Sequence, residues 1–300
     1  MYNIDKLFEA VSAKGHVCVG LDTSVEYVPP AERKRAASDA GAVLAFNKAL
    51  VDSTFDACAC YKVQIAYYEE MGLEGLGCYA KTLRYIREKG GLVIADIKRG
   101  DIADTALRYA KAHFAGDFEA DFVTLSPYMG MDSIEPWLSY AEQNGKGAFV
   151  LMRTSNKGMR DFEYLELSPD KKRLYHAVGG KLAGLASAHC GKYGYGAFGA
   201  VVGCTERDEA AEIRKNYPSL FFLIPGYGAQ GGAADDAALL LREGNGGVVN
   251  ASRSILKAWE TELKKTGGDV SGAANSFTAE AARRAVIEMR DAIQNAIHPY

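Results

Sequence analysis

Residues 91–105, GLVIADIKRGDIADT, combine an apolar run with closely spaced charges. Residues 92–95 are apolar and predict a buried strand, and Asp96, Lys98 and Asp101 follow them. Side chains alternate between the two faces of a strand, so Asp96 and Lys98 point to the same side. Because buried charges are costly unless they are paired, an acid and an amine at this spacing indicate chemistry. The amine can stabilise a developing negative charge or donate a proton.

The hydrophobic pattern predicts the elements that position these residues. Apolar, β-branched segments alternate with amphipathic ones, and they are near-continuous apolar runs, as in parallel strands covered by helices. Eight successive βα units predict an α/β protein with a (β/α)8 TIM barrel. Helices are predicted over residues 79–89, 133–144, 205–217 and 235–243 and as a pair from residue 255, with Ser133 and Thr205 as N-caps. The predicted strands are residues 16–22, 60–66, 91–98, 122–127, 147–155, 198–204, 221–226 and 247–252.

The domain organisation predicted from the sequence is simple. The chain has 300 residues, a length that (β/α)8 barrels commonly use as one domain. Since no segment is rich enough in Pro, Gly or Ser to act as a linker, we expect a single domain over residues 1–300. A leading helix over residues 4–13 is expected to cover the bottom of the barrel. Residues 156–175 are unusually long for a βα loop and are interpreted as a lid or an insertion.

Composition excludes several classes of protein. The net charge of −3 provides no basic field for nucleic acid, so an anionic ligand would be held by local Lys or Arg. No apolar run approaches the roughly 20 residues of a membrane span, and the segment MYNIDKLFE is acidic and unlike a signal peptide. Six cysteines without a Cys-x-x-Cys pair are interpreted as reduced thiols of a cytoplasmic protein. The five histidines lack zinc-binding spacing, and no metal site is predicted.

The carboxyl ends of the strands build the active site in a barrel of this kind. A lysine inside an apolar strand, such as Lys62 in CYKVQIA, is by itself commonly a surface residue whose ammonium reaches water. The barrel brings it together with other charged strand ends, however, and this convergence favours a functional site. The polar residues at the predicted strand ends are Asp22, Lys62, Asp96, Lys98, Ser126, Ser155, Gln230 and Arg253.

Two segments after the last two strands have the composition of a phosphate site, PGYGAQGG (225–232) and NASRSI (250–255). Loops at these positions are the usual phosphate-binding loops of the fold. Glycines expose backbone N–H groups there, and Arg253 supplies a forked cation. The alternative is a glycine-rich turn beside a surface arginine. The glycines of the first segment formally match Gly-x-Gly-x-x-Gly, but we reject a dinucleotide site because no acid follows about 20 residues later.

Residues 96–102, DIKRGDI, resemble the Asp-x-Lys-x-x-Asp signature of the orotidine 5′-phosphate decarboxylase family. Related sugar-phosphate enzymes share that signature, but further blocks follow in the order of this family over residues 20–255. The length and the block RTSN resemble the longer bacterial branch, although Lys157 stands where many members have proline. The further blocks are GLD (20–22), KVQIAYYE (62–69), RTSNKG (153–158), PGYGAQGG (225–232) and NASR (250–253).

The resemblance implies an enzyme that decarboxylates orotidine 5′-phosphate to uridine 5′-phosphate and CO2. This reaction is the final step of de novo pyrimidine nucleotide (UMP) biosynthesis. The resemblance also implies that no cofactor and no metal take part and that Lys98 donates the proton to C6 of the pyrimidine. The implied catalytic residues form an array of alternating charges, namely Lys62, Asp96, Lys98 and Asp101 of a second subunit.

A homodimer with shared active sites is part of what the resemblance implies. Asp22, Lys62 and the partner subunit's Asp101 would hold the ribose. Ile102 and Thr105 would cross into the neighbouring site together with Asp101. The substrate site would therefore be complete only when two copies of the chain associate.

The resemblance assigns the remaining substrate contacts to later parts of the chain. Ser155 would bind the edge of the pyrimidine, and Gln230 with Arg253 would bind the phosphate. The composition of the last two loops and the resemblance therefore point to the same phosphate site.

Two other functions stay open. A related sugar-phosphate lyase or decarboxylase that needs Mg2+ would require a further carboxylate at a strand end, for which Glu69 and Glu70 are the candidates. A catalytically silent barrel that binds nucleotide as a sensor would keep the phosphate loops but would need no charged array. The presence of Asp96, Lys98 and Asp101 favours an enzyme over the sensor.

Overall fold

The computed structural model describes residues 1–228 and 230–297, and within them parallel strands form a closed barrel. The strands are Val17–Gly20 (β1), Cys60–Gln64 (β2), Val93–Arg99 (β3), Phe122–Leu125 (β4), Gly147–Arg153 (β5), Phe198–Val202 (β6), Phe222–Ile224 (β7) and Gly247–Ala251 (β8). They lie in chain order around the barrel, and β8 closes it by pairing with β1. The predicted (β/α)8 barrel is confirmed. Most strands end before the predicted position, because the backbone leaves the ladder to form the loops of the open end.

Helices surround the barrel and connect its strands. Two helices that were not predicted from the sequence nevertheless bury large apolar side chains, namely Phe46 and Leu50 in the third helix and Leu182 in the eighth. The helices are Asn3–Lys14 (α1), Pro30–Arg35 (α2), Asp39–Thr54 (α3), Ala66–Glu69 (α4), Gly72–Glu88 (α5), Ala103–Ala115 (α6), Leu138–Asn144 (α7), Leu174–Ala188 (α8), Arg207–Asn216 (α9), Ala234–Ala238 (α10), Arg253–Leu256 (α11), Ala258–Thr266 (α12) and Asn275–Ile297 (α13).

The helix predicted over residues 133–144 begins later than expected, and Ser133 is not its N-cap. The α-helix starts at Leu138. The hydroxyl of Ser133 donates to the carbonyl of Gly130 at 2.6 Å and caps no N–H group. Pro136 lies in a short 3-10 turn before the helix, because proline has no N–H group with which to continue α-helical bonding.

Two further helix boundaries were predicted wrongly. The helix predicted from Thr205 begins at Arg207, and the Thr205 hydroxyl donates instead to the carbonyl of Ser155 at 3.4 Å. The helix predicted over residues 235–243 ends at Ala238. Glu243 has a φ of 51°, a left-handed conformation that a continuing helix does not allow.

One end of the barrel interior is apolar and closed. Side chains from the first halves of the strands meet there, among them Cys60, Ile94, Phe122 and Phe149. Helix α1 packs its apolar side chains against this layer, as expected of a leading helix that covers the barrel bottom. The side chain of Asn3 fixes the helix by donating to Asp121 at 3.1 Å.

The connection between β5 and α8 is long and contains a 3-10 turn at Lys157–Asp161. Its start is fixed by hydrogen bonds, since both the backbone N–H and the hydroxyl of Thr154 donate to Glu163, at 2.8 and 2.7 Å.

In residues 1–228 and 230–297 no helix combines the length and apolar composition needed to cross a bilayer. The six cysteines carry free thiols, and Cys190 alone among them is exposed.

Candidate active site

A cavity of about 400 Å³ opens at the carboxyl ends of the strands. Its walls combine charged groups from the first three strands with the loops that follow β5, β7 and β8. The described lining includes Asp22, Lys62, Gln64, Asp96, Lys98, Thr124, Leu151, Ser155, Gly226, Tyr227, Gln230, Asn250, Ser252 and Arg253.

Four charged side chains form a continuous array on one side of this cavity. The ammonium of Lys62 donates to Asp22 at 2.8 Å and to Asp96 at 2.9 Å. The other oxygen of Asp96 accepts from the ammonium of Lys98 at 2.7 Å. The Lys62 side chain is 5% exposed, whereas that of Lys98 is 47% exposed and faces the space of the cavity. The predicted proximity of Asp96 and Lys98 on one face of β3 is observed.

The array keeps Lys62 and Asp96 charged. Burial disfavours the ammonium of Lys62, but the charges of Asp22 and Asp96 outweigh burial and raise its pKa. Burial likewise disfavours the carboxylate of Asp96, but Lys62 and Lys98 hold its pKa well below the usual range. The lowered pKa of Asp96 adds stability above about pH 4 that is lost in acid. The raised pKa of Lys62 adds stability below about pH 10 that is lost in alkali.

An irregularity in β3 presents Lys98 to the cavity. The register between β3 and β4 shifts between Ala95 and Arg99, which is a β-bulge. Lys98 lies in the bulge with a φ of 43°, in the left-handed region that residues with a side chain rarely adopt. Such strained backbone concentrates at functional sites, where the surrounding structure holds it in place.

Asp22 is held by a second partner besides Lys62. Its other oxygen accepts from the hydroxyl of Ser252 at 2.8 Å, which joins the end of β1 to the end of β8. Glycine is required at position 20 for this contact, because a Cβ there would lie 1.9 Å from the Ser252 oxygen. The block GLD therefore combines space for Ser252 with the acid that Ser252 binds.

The predicted phosphate loops, which follow β7 and β8, line the same cavity as the charged array. Gln230 follows β7 and Arg253 begins α11, and both are exposed to the cavity. Gly226 and Gly228 have φ values of 103° and 69°, so the loop after β7 needs glycine for its turn. None of the salt bridges among residues 1–228 and 230–297 involves Arg253.

Known proteins match the sequence of this chain over nearly its whole length. The model of the orotidine 5′-phosphate decarboxylase / HUMPS family matches residues 15–264, which include every strand and both sides of the cavity. This chain belongs to that family. Orotidine 5′-phosphate decarboxylase of Clostridium perfringens (strain SM101 / Type A) is 55% identical over 293 residues, which cover 98% of each chain. The Clostridium tetani protein of the same name is 52% identical over 295 residues, covering 98% of this chain and 99% of the relative.

A solved structure agrees with these sequence relatives. Leishmania donovani OMP decarboxylase superposes over 100% of both chains with a TM-score of 0.76 and 30% identity. The family predicted from the sequence blocks is therefore confirmed, and the barrel of this chain is the barrel of the family.

Four sequence-predicted residues lie outside the described lining of the cavity. Ser126 is half-buried, and Ile102 and Thr105 are exposed at the start of α6. The carboxylate of Asp101 accepts from the backbone N–H of Ile102 at 2.9 Å and does not contact the array. One chain alone therefore brings together Asp22, Lys62, Asp96 and Lys98, but not Asp101.

Several lining residues were missed by sequence reasoning. Thr124, Asn250 and Ser252 reach the cavity from β4 and from the end of β8. The period of two along a strand could have found the first two, since each stands two residues after an interior apolar side chain, Phe122 or Val248. Their polarity inside apolar strands was the overlooked signal.

The described part of the chain provides no set of side chains that could bind magnesium. No three His, Cys, Asp or Glu side chains cluster there in a way that could hold a metal ion. Asp22 and Asp96 both pair with Lys62, whose ammonium lies between them. Of the two acids proposed for magnesium, Glu69 pairs with Arg99 at 3.4 Å and Glu70 is exposed.

Proposed function

We propose that this chain decarboxylates orotidine 5′-phosphate to uridine 5′-phosphate and CO2, the final step of de novo pyrimidine nucleotide biosynthesis. Membership of the family and the named relatives support the reaction. The observation that carries the chemistry is the ammonium of Lys98, which is fixed by Asp96 at 2.7 Å and exposed to a cavity that the loops after β7 and β8 also line. This arrangement supports the assignment of Lys98 as the cation and proton source for the carbanion.

The proposed proton donor is Lys98. Breaking the bond between C6 and the carboxylate leaves the electron pair on C6, and the pyrimidine offers no obvious electron sink for it. The protein must then stabilise the developing charge with a preorganised cation. The ammonium of Lys98 can do so and can transfer its proton to C6, leaving a neutral amine that regains a proton from water. We propose that no cofactor takes part.

Asp96 contributes in two ways to this proposal. It fixes the ammonium of Lys98, and it would stand near the carboxylate of the substrate and repel it. At about 4 Å and an effective dielectric constant of about 20, the repulsion is roughly 4 kcal/mol, or about three decades of rate. Enzymes commonly supply about 8–23 kcal/mol, so repulsion alone is too small, and we propose that phosphate binding that orients the ring contributes the remainder together with Lys98.

The remaining parts of the substrate are assigned to the rest of the cavity. We assign the ribose to Asp22 and Lys62 and the edge of the pyrimidine to Ser155, which all line the cavity. Gln230 and Arg253 are assigned to the phosphate, at the side where glycines expose the backbone. The strand ends that carry these residues converge on one cavity, which supports a single ligand spanning it.

A homodimer with shared active sites is also proposed. The surface around Asp101 supports it, because apolar side chains are exposed there, with Ile102 at 45% and Leu107 at 41%. Exposed apolar patches mark protein interfaces. The two carboxylates and two ammonium groups of the array are balanced within one chain, so Asp101 from a partner would add one negative charge beside the substrate.

We also propose a single domain over residues 1–300 and a cytoplasmic location.

A direct assay tests the proposed reaction. Orotidine 5′-phosphate is added to the purified protein in the presence of EDTA, and the ultraviolet change to uridine 5′-phosphate is followed. We expect turnover that EDTA does not diminish. Activity that EDTA abolishes would support the magnesium-dependent alternative, and binding without turnover would support the nucleotide sensor.

Subunit mixing tests the shared site separately. Asp101→Ala and Lys98→Ala are each expected to be inactive as homodimers. A mixed dimer would contain one site with both residues intact, so mixing should restore part of the activity. Mixed dimers that form, as shown by differential tags, yet remain inactive would argue against a shared site.

A further inference from the structure

Thr124 occupies an unusual position opposite the bulge of β3. In the register between β3 and β4, Ala95 pairs with Val123 and Arg99 pairs with Leu125. Residues 96–98 on β3 are therefore opposed by Thr124 alone. Thr124 is 1% exposed and lines the cavity. Its side chain is the only one from β4 among the described lining residues.

The hydroxyl of Thr124 makes three hydrogen bonds, and together they use its full capacity of one donor and two acceptors. It donates to the carboxylate of Asp96 at 2.8 Å. It accepts from the backbone N–H groups of Ile97 at 3.0 Å and Lys98 at 2.9 Å. These two N–H groups lie in the bulge, so the hydroxyl supplies partners where the regular pairing is interrupted.

The contacts of Thr124 act on both the backbone and the side chain of Lys98. The backbone bond holds the left-handed conformation at a φ of 43°. The Thr124 hydroxyl donates to one carboxylate oxygen of Asp96, and the same oxygen accepts from the ammonium of Lys98 at 2.7 Å. We infer that Thr124 is a positioning residue, whose hydroxyl fixes the Lys98 ammonium for proton transfer; this inference rests on the proposed function.

A purely structural role predicts a different outcome from a positioning role. If Thr124 served only packing, its isosteric replacement would lower stability and leave the turnover of the folded enzyme unchanged. If it positions Lys98, the replacement lowers kcat while binding of the substrate, which depends on other residues, persists. The two roles therefore separate in the split between kcat and KM.

Thr124→Val and Thr124→Ser form the test pair, with Thr54→Val as the matched control. Thr54 is equally buried, and its hydroxyl bonds to the carbonyl of Leu50 at 2.7 Å, away from the cavity lining. We expect Thr124→Val to lower kcat about 10- to 100-fold, as for loss of a hydrogen bond to a charged group, with KM and the Kd for uridine 5′-phosphate little changed. Thr124→Ser should retain most of the turnover, and Thr54→Val should retain all of it.

Two results would overturn the inference, namely wild-type kcat in Thr124→Val or an equal loss of kcat in Thr124→Ser. A crystal structure of Thr124→Val gives a readout that does not need turnover, since the contact between Lys98 and Asp96 should lengthen or break. An unchanged contact and an unchanged φ at Lys98 would also contradict it. If the wild-type protein itself fails to decarboxylate orotidine 5′-phosphate, the proposed function fails, and the crystal structure still decides the role of Thr124.

Discussion

The two ends of the barrel interior differ in composition although the same strands build both. At the closed end Cys60, Ile94 and Phe122 are apolar and pack under α1. Two residues further along the same strands stand Lys62, Asp96 and Thr124, which line the open cavity. A step of two residues keeps a side chain on the inner face of the barrel. One layer of the interior is therefore packed for stability, and the next layer holds paired charges.

The comparison shows how the fold separates stability from chemistry. Burial of apolar side chains at the closed end is favourable in itself. The charged layer is stable only because each member has partners, and losing one partner of a buried pair leaves the other charge uncompensated. Packing alone would not favour the charged layer, and an apolar layer below supports it. This is the arrangement expected of a catalytic site.

Lys98→Ala should have the largest effect, because it removes the proposed proton donor from the open end. We expect kcat to fall by at least about 10³-fold, while uridine 5′-phosphate still binds. Steady-state kinetics and titration calorimetry measure the two quantities. Lys111→Ala, an exposed lysine on α6, is the control and should retain full activity. Substantial turnover in Lys98→Ala would remove this residue from its assigned role.

Phe149→Ala tests the closed end. Phe149 is fully buried, and its removal should lower the free energy of unfolding by about 3–5 kcal/mol. The kcat of the folded fraction should not change. Leu151→Ala, two residues later on the same face, lines the cavity and should alter kcat/KM with a smaller loss of stability. Equal effects on activity at both positions would contradict the separation of the two ends. Denaturant unfolding and kinetics provide the comparison.

His113 contributes a pH-dependent stability outside the charged layer. Burial is the larger cause and the charge of Arg99 the smaller one, and together they lower the pKa of His113 from 6.5 to about 4. Between these pH values the folded protein therefore keeps His113 neutral, whereas the unfolded chain binds a proton. Stability should therefore fall as the pH decreases from 6.5 to 4, by up to roughly 3 kcal/mol. His113→Phe keeps an aromatic ring beside Phe118 and should flatten this slope in unfolding measurements. An unaltered slope would assign the dependence to other groups.

Arg253→Ala should have the smallest of these effects. It removes one cation from the proposed phosphate site, and we expect kcat/KM for orotidine 5′-phosphate to fall about 10- to 100-fold. Arg207→Ala is the control, because Arg207 pairs with Asp236 at 2.7 Å outside the described lining. A dephosphorylated substrate should not distinguish Arg253→Ala from the wild type. If it does, Arg253 acts on another part of the substrate.

The sequence predicted the barrel and the charged residues that line the cavity, for identifiable reasons. Near-continuous apolar runs mark buried parallel strands, and the strand ends are where this fold places its functional residues. Asp96 and Lys98 were found because charges are conspicuous at the end of an apolar strand. Thr124 was missed because a threonine is common in strands, and nothing in its own strand shows that β3 bulges opposite it. The N-cap assigned to Ser133 was wrong because local pattern does not reveal a competing turn at Pro136.

The sequence by itself determined the class of fold, the family blocks and the types of charge available, since these depend on composition and spacing along the chain. The tertiary structure decided which charges pair, because the ammonium of Lys62 meets Asp22 and Asp96 only when neighbouring strands close into a barrel. It also decided the left-handed backbone of Lys98, which depends on the register between two strands. Such contacts join residues far apart in sequence, and their geometry follows from packing of the whole barrel.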